Sequence, residues 1–159
     1  MRRLGVGTAV LVAFAVFAAC GGTARLSKSE YERQLSAIGT RAGTALTGIF
    51  SNPAVTNPSS LKQVAEVVKR GADTVDRAGA EIGKLHPPSD AEADNATLAK
   101  GFHELADELR QFATSAERGD VAKVKAFDQQ ASANTLPGER VIQQAIDALK
   151  RKGYRVGSP

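Results

Sequence analysis

Leu98-Ala99-Lys100-Gly101-Phe102-His103-Glu104-Leu105-Ala106-Asp107-Glu108-Leu109-Arg110-Gln111-Phe112-Ala113-Thr114-Ser115-Ala116 decides the fold class. Leu98, Phe102, Leu105, Leu109, Phe112 and Ala116 return at spacings of four and three, the period of one helical face. Charged and amide residues fill the positions between them. Ser89 or Asp90 stands where a helix cap belongs, acids crowd the first turn, and Gly119 suits a left-handed stop, with Asp120 placed to cap the next helix.

The same period extends outward on both sides. Ser27 with Glu30 has the form of a capping box. Tyr31, Leu35, Ile38, Ala42, Leu46 and Ile49 then predict a first helix to about Phe50. Ser51 to Asn57, followed by Pro58, reads as a loop. A second helix is expected from Ser59 or Ser60 to about Leu85, its seam marked by Leu61, Val64, Val68, Val75, Ile82 and Leu85, with Ala72 and Gly79 in the intermediate turns. Glu66 with Arg70 and Asp73 with Arg77 are spaced to pair on its outer face. Pro87-Pro88 ends it. After the third helix, Val121, Val124, Phe127 and Ala131 begin a fourth. Leu136-Pro137-Gly138 interrupts it, and Val141, Ile142, Ala145, Ile146 and Leu149 resume the pattern to Gly153. Nothing reads as a strand. The expected fold is all-α, an antiparallel up-and-down bundle of four long helices, the last kinked or split near Pro137.

The chain has 159 residues, one cysteine, no tryptophan and a formal charge of +4. Its first nineteen residues form a leader. Arg2 and Arg3 supply positive charge, Leu4 to Phe17 is apolar and uncharged, and Ala18 and Ala19 are small. Cys20 comes next, with Gly21, Gly22 and Thr23 as a tether. The order resembles the lipobox of bacterial lipoproteins, with Phe17 where leucine is usual. That resemblance implies diacylglycerol on the Cys20 sulfur and cleavage between Ala19 and Cys20. The physics agrees, because a lone cysteine has no intramolecular disulfide partner and stable anchoring takes more than one acyl chain. Two alternatives stay open: an uncleaved span over Leu4 to Ala24, which is about the 20 residues a crossing needs, and ordinary secretion.

The expected organisation is therefore a signal peptide over 1–19, a lipidated cysteine and flexible tether over 20–26, a bundle over 27–153 and a tail over 154–159. Cleavage leaves about 140 residues, the size of one domain. Loss of Arg2 and Arg3 halves the charge surplus, too little for nucleic acid. The residual cations, Lys150, Arg151, Lys152 and Arg155, complement the negative end of a terminal helix or touch anionic headgroups.

Glycines inside the helices need an account, since each costs about 0.5–1 kcal/mol relative to alanine. Gly39 and Gly43 in the first helix, and Gly79 and Gly83 in the second, predict close packing of those two helices. The alternative is an apolar groove between them that carries or senses a small ligand. His103-Glu104-Leu105-Ala106-Asp107 echoes the H-E-x-x-H zinc motif with aspartate for the second histidine. A catalytic zinc needs a third ligand, and His86 lies in another helix, so His103 and Asp107 are expected on a hydrated face. Glu104 and Glu108, four apart, read as salt-laced surface, and Asn95-Ala96-Thr97 as an incidental sequon. No nucleophile elbow or phosphate-cradling loop is present. No cofactor, metal or catalytic residue is assigned.

Leu26-Ser27-Lys28-Ser29-Glu30-Tyr31 with Ile38, then Pro87-Pro88, Gly119-Asp120 and Gly153-Tyr154, resembles a group of small exported helical lipoproteins of high-GC Gram-positive bacteria. The resemblance implies a helical domain held at the extracytoplasmic face of the cell membrane by acyl chains on Cys20; an envelope protein of unknown identity is a further expected partner, independent of the resemblance. Relatives carry cysteines where this chain has Gly39 and Gly157, which implies a missing tie and a loose tail from Tyr154. The functional expectation is a non-enzymatic binding or structural role, with a ligand carrier and, more distantly, a metalloenzyme as alternatives.

Overall fold

The structure, a computed structural model, describes residues 24–57, 60–133 and 135–157. The leader, Ala19, Cys20 and most of the tether lie outside the described residues. Helices α1 (Lys28–Phe50), α2 (Pro53–Thr56), α3 (Leu61–Gly83), α4 (Glu92–Glu117), α5 (Val121–Ser132) and α6 (Pro137–Arg151) succeed one another along the chain, with a single 3-10 turn over Ser89–Ala91. No strand occurs among the described residues, and no helix there is long and apolar enough to cross a membrane.

Local chemistry sets most of the ends. Ser27 accepts from the Glu30 amide at 3.3 Å, Ser60 from Gln63 at 3.3 Å and Asp120 from Lys123 at 3.1 Å; such caps are worth about 1 kcal/mol each. Gly119 ends α4 with φ +71°, a left-handed conformation in which a side chain is strained. The expected side-chain cap on α4 is absent: Ser89 and Asp90 form the 3-10 turn instead, and α4 begins only at Glu92. The stretch read as a loop contains one helical turn, α2. There Asn52 accepts from the Ala54 amide, and Pro53 takes the first helical position, which needs no N–H.

Four helices, α1, α3, α4 and α6, make the up-and-down bundle. Their antiparallel order is read from pairs that step along the seams. Leu26 donates to His86 at 2.7 Å across α1 and α3. Between α3 and α4, Asn95 meets the Ile82 carbonyl, Asp76 meets His103, Asp73 meets Arg110 and Lys69 meets Glu117. Between α4 and α6, Lys152 meets Asp94 and Gly138 meets Glu108. The broadest backbone approach is α3 with α4, then α4 with α6. Helix α4 is thus the centre of the molecule, in keeping with the sharpness of its repeat. Ile82, Leu109 and Leu149 are among its fully enclosed neighbours and residues, each contributing about 1.5–3 kcal/mol by burial.

The fourth long helix is replaced by two pieces. Alone α6 completes the bundle, while α5 is a side arm with no buried residue. It is held through Phe127 stacked on Phe112 at 4.6 Å, and Val121 is 52% exposed. Val124, Phe127 and Ala131 are nevertheless the half-buried face that α5 turns to the core, and only Val121 of the expected set stands clear of it; Pro137 starts a new helix and lets α5 lie to the side of the bundle.

The end of the chain also departs from expectation. Tyr154 and Val156 are buried, so the tail belongs to the domain. Tyr154 packs edge-on against Tyr31 at 5.7 Å between ring centres, and its hydroxyl donates to Asp90 at 2.7 Å. Aromatic packing thus holds the segment from Tyr154 that was expected to be loose.

Candidate functional site

The four glycines singled out from sequence separate into two groups. Gly39 and Gly43 lie exposed on α1 and meet no neighbour. Gly79 faces α4, where a Cβ would stand 3.1 Å from the Ala99 carbonyl oxygen and 3.1 Å from Phe102 Cβ; Gly83 is in ordinary contact with Ala99. These pairs therefore do not join α1 to α3, and no groove opens between those helices at them. Helical phase explains why. Gly39 and Gly43 come one residue after the buried Ile38 and Ala42, about 100° off the core face. The α1–α3 contact is made at Gly71, where the Ile49 side chain occupies the space a Cβ would need.

A groove does exist on the other side of α3. About 790 Å³ of open space lies between the end of α3, the segment after it and α4, with Arg25, Gly83, His86, Glu92, Lys100 and His103 on its walls. Its floor is apolar and small, Ala96 and Ala99, and its rim is charged. Arg25 donates to Glu92 at 2.8 Å and to the Pro87 carbonyl at 3.1 Å. Lys100 pairs with Glu104 at 3.2 Å. Beneath the floor Asn95, 4% exposed, accepts from the Tyr31 hydroxyl and donates to the Ile82 carbonyl. The sequon residue is thus a core strut. Its position three before Leu98 continues the α4 repeat by one step, a signal present in the sequence.

The two histidines share this groove. His103 reaches Asp76 through Nδ1 at 2.6 Å. The His103 hydrogen bond, and then the Arg110 guanidinium at 3.0 Å, hold the Asp76 carboxyl below the usual carboxylate range. An ionised Asp76 accepts only, so Nδ1 carries the proton and Nε2 is the ring nitrogen left for a partner. Arg110 is itself fastened to Asp73 and Asp107, and those carboxylates with Asp76 push its pKa upward. Asp107 therefore belongs to Arg110 rather than to a metal set with His103. Groups of three or more metal-binding side chains are absent among the described residues. The pairing expected of Asp73 with Arg77 is replaced by this cross-helix one, and Arg77 donates to Thr74.

Glu108 departs furthest from its expected surface role. Its Oε1 accepts from the Gly138 amide at 3.0 Å, and its Oε2, like that of Glu139, is buried with no hydrogen-bond partner. Burial raises the pKa of both carboxyls; the Gly138 amide opposes the rise at Glu108, and Glu104 and Glu139 add to it. Charge alone in the sequence gives no sign that this pair turns inward, because Glu108 sits one step beside the Leu105–Leu109 face.

Comparison with family models, with curated proteins and with solved structures returns no match. What the arrangement offers chemically is an oriented imidazole, paired cations and carboxylates, and an apolar floor. Such a lining suits a partner that presents polar and apolar groups together.

Proposed function

We propose that the chain is a lipid-anchored protein of the extracytoplasmic face of the cell membrane, with a binding or structural role in the envelope and no reaction of its own. The observation that carries this reading is how the chain approaches its tether. Arg25 and Leu26 are pinned to the segment after α3 by hydrogen bonds to the Pro87 and His86 carbonyls, and to the start of α4 by the Arg25–Glu92 ion pair. The tether to Cys20 consequently leaves from a fixed point at one end of the bundle, beside the mouth of the α3–α4 groove. The leader ending in Ala18-Ala19-Cys20 supplies the anchor, and likeness to small exported helical lipoproteins supplies the address. The groove, close to the anchor, is the surface we assign to an envelope partner.

Metabolic labelling with a fatty acid tests the anchor. Wild type is expected to incorporate label and to begin at an acylated Cys20 by mass spectrometry, and Cys20→Ala to lose the label. Native material with residues 1–19 attached, or with a free thiol at Cys20, overturns the reading. For the groove, a photo-crosslinking residue at Lys100 is expected to capture an envelope component that the same group at Lys62 on α3 does not; equal capture at both positions removes the groove from the account.

A further inference from the structure

The end of the bundle from which the tether leaves is built from the start of α1, the end of α3, the start of α4, the end of α6 and the docked tail. Docking of Tyr154 against Tyr31 and Asp90 is what brings the tail there. The Arg155 amide donates to Glu32 at 2.9 Å, which places that residue beside the second turn of α1. Three carboxylates of this end are charge-paired: Glu92 with Arg25, Asp94 with Lys152 and Glu30 with Arg33. Glu32 and Asp90 keep their charge and accept from neutral donors, the Arg155 amide and the Tyr154 hydroxyl, so two such acids stand against four unpaired cations. Lys84, Lys150, Arg151 and Arg155 are exposed, and their side chains have no carboxylate partner among the described residues. Two polypeptide segments distant in sequence, Lys84 after α3 and Lys150 to Arg155 at the end of the chain, thus deliver unpaired cations to one end, the end that carries the tether.

The tether sets the distance. Cys20 and Arg25 are five residues apart, a reach of at most about 18 Å when fully extended. An anchored chain therefore lets this end of the bundle reach the bilayer surface, where attraction between lysine or arginine and anionic headgroups acts within about one Debye length. Anchoring makes that encounter intramolecular.

We infer that this end of the bundle rests on an anionic bilayer surface, with Lys84, Lys150, Arg151 and Arg155 contacting headgroup phosphates. The inference rests on the reading of Cys20 as the anchor. It gives the groove a fixed height and orientation over the membrane, because Arg25 belongs to both the groove and this end.

The chain has no tryptophan, so Ser89→Trp, at the exposed 3-10 turn of this end, is a lone donor for energy transfer to dansyl-headgroup lipid. The acylated protein purified from membranes is reconstituted into phosphatidylcholine vesicles, alone or with about 30 mol % phosphatidylglycerol. Transfer is expected to be about twofold higher on the anionic vesicles and to fall to the phosphatidylcholine level in about 0.5 M NaCl. Replacing Lys84, Lys150, Arg151 and Arg155 by glutamine should give the phosphatidylcholine level on both. The salt titration of the otherwise unaltered chain decides the matter even if that variant misfolds. Equal transfer on both vesicle types, with the protein retained on both, overturns the inference and leaves the anchor standing. Retention on anionic vesicles alone, with no acyl mass on Cys20, overturns the anchor and leaves the cationic face standing.

Discussion

Helix α4 has two seams, and they are built on opposite electrostatic terms. Toward α3, its outer edge carries His103 and Arg110 fastened to Asp76 and Asp73, half-exposed pairs in which every charge meets its opposite. Toward α6, its edge carries Glu108 beside Glu139, two carboxyls with buried and unpartnered oxygens. The backbones also meet differently. At the α3 seam a methyl group on Gly79 would need its neighbours to give by a few tenths of an ångström, whereas at the α6 seam Gly101 and Gly138 are pressed onto opposing backbone. Screened charge pairs can be lost cheaply, while close backbone packing tolerates no added atom and a buried like-charged pair is held only because that packing surrounds it.

The largest expected effect tests the packing half of this contrast. A Cβ at Gly138 would overlap the Leu105 backbone, which cannot swing aside as a side chain can. Gly138→Ala should cost about 3 kcal/mol, near the top of the range for overpacking. In a domain of this size that is a fall in Tm of about 10 °C by calorimetry. Gly79→Ala, with contacts of 3.1–3.2 Å, should cost clearly less. The reverse order would show that the α3 seam is the rigid one.

The charges come next. Burial raises the pKa of Glu108 and Glu139 in the fold, so their ionisation opposes folding. Stability from this source is complete below the ordinary carboxylate value and declines as pH rises through the raised folded values. Glu108→Gln, which keeps the Oε1 acceptor for the Gly138 amide, should raise Tm at pH 7 and leave it unchanged near pH 4. Lower stability of the variant at pH 7 would mean that the carboxylate is satisfied in solution.

Asp76 has the opposite sign. His103 and Arg110 lower its folded pKa, so its contribution is present above the unfolded value and is lost as pH falls through the folded one. Asp76→Asn should destabilise at pH 7 by less than about 1 kcal/mol, since the site is half exposed and screened. The difference from wild type should shrink in high salt and vanish as pH falls below the lowered folded value. It should also remove the preference of His103 for a proton on Nδ1, visible in the imidazole nitrogen shifts by NMR.

The same contrast explains how far the sequence reaches. The 4-3-4-3-4 repeat of Leu98 to Ala116 specifies one side of α4, and the ends at Ser27, Ser60 and Gly119 are legible because capping chemistry is local. The partner across each seam is not, because periodicity gives a face and not its neighbour. Gly79 can be placed in the seam of its helix, yet not against Ala99 and Phe102 rather than α1. Tyr154 reads as loose because nothing local announces an aromatic pair with Tyr31, 123 residues away in sequence. Likewise, an acid in a helix reads as surface until its neighbours are known, so Glu108 and Glu139 are invisible as a pair. The groove is partly visible: His103 and His86 both stand out in the sequence, but the zinc-motif echo of His103 with Asp107 points away from Asp76, the true partner of His103.

The smallest effect isolates the role of the neighbour most cleanly. Gly39 and Gly43 occupy helix interior with nothing within 4 Å of a Cβ, so alanine at either position adds no clash and only restricts the unfolded chain. Each substitution should stabilise by about 0.5 kcal/mol, a rise of roughly 1–2 °C in Tm. Gly39→Ala and Gly138→Ala are the same chemical change within a helix, and their opposite signs would be due to what stands opposite. If Gly39→Ala destabilises, the exposed face of α1 is occupied in solution, and the four-helix bundle has a further surface against which that helix packs.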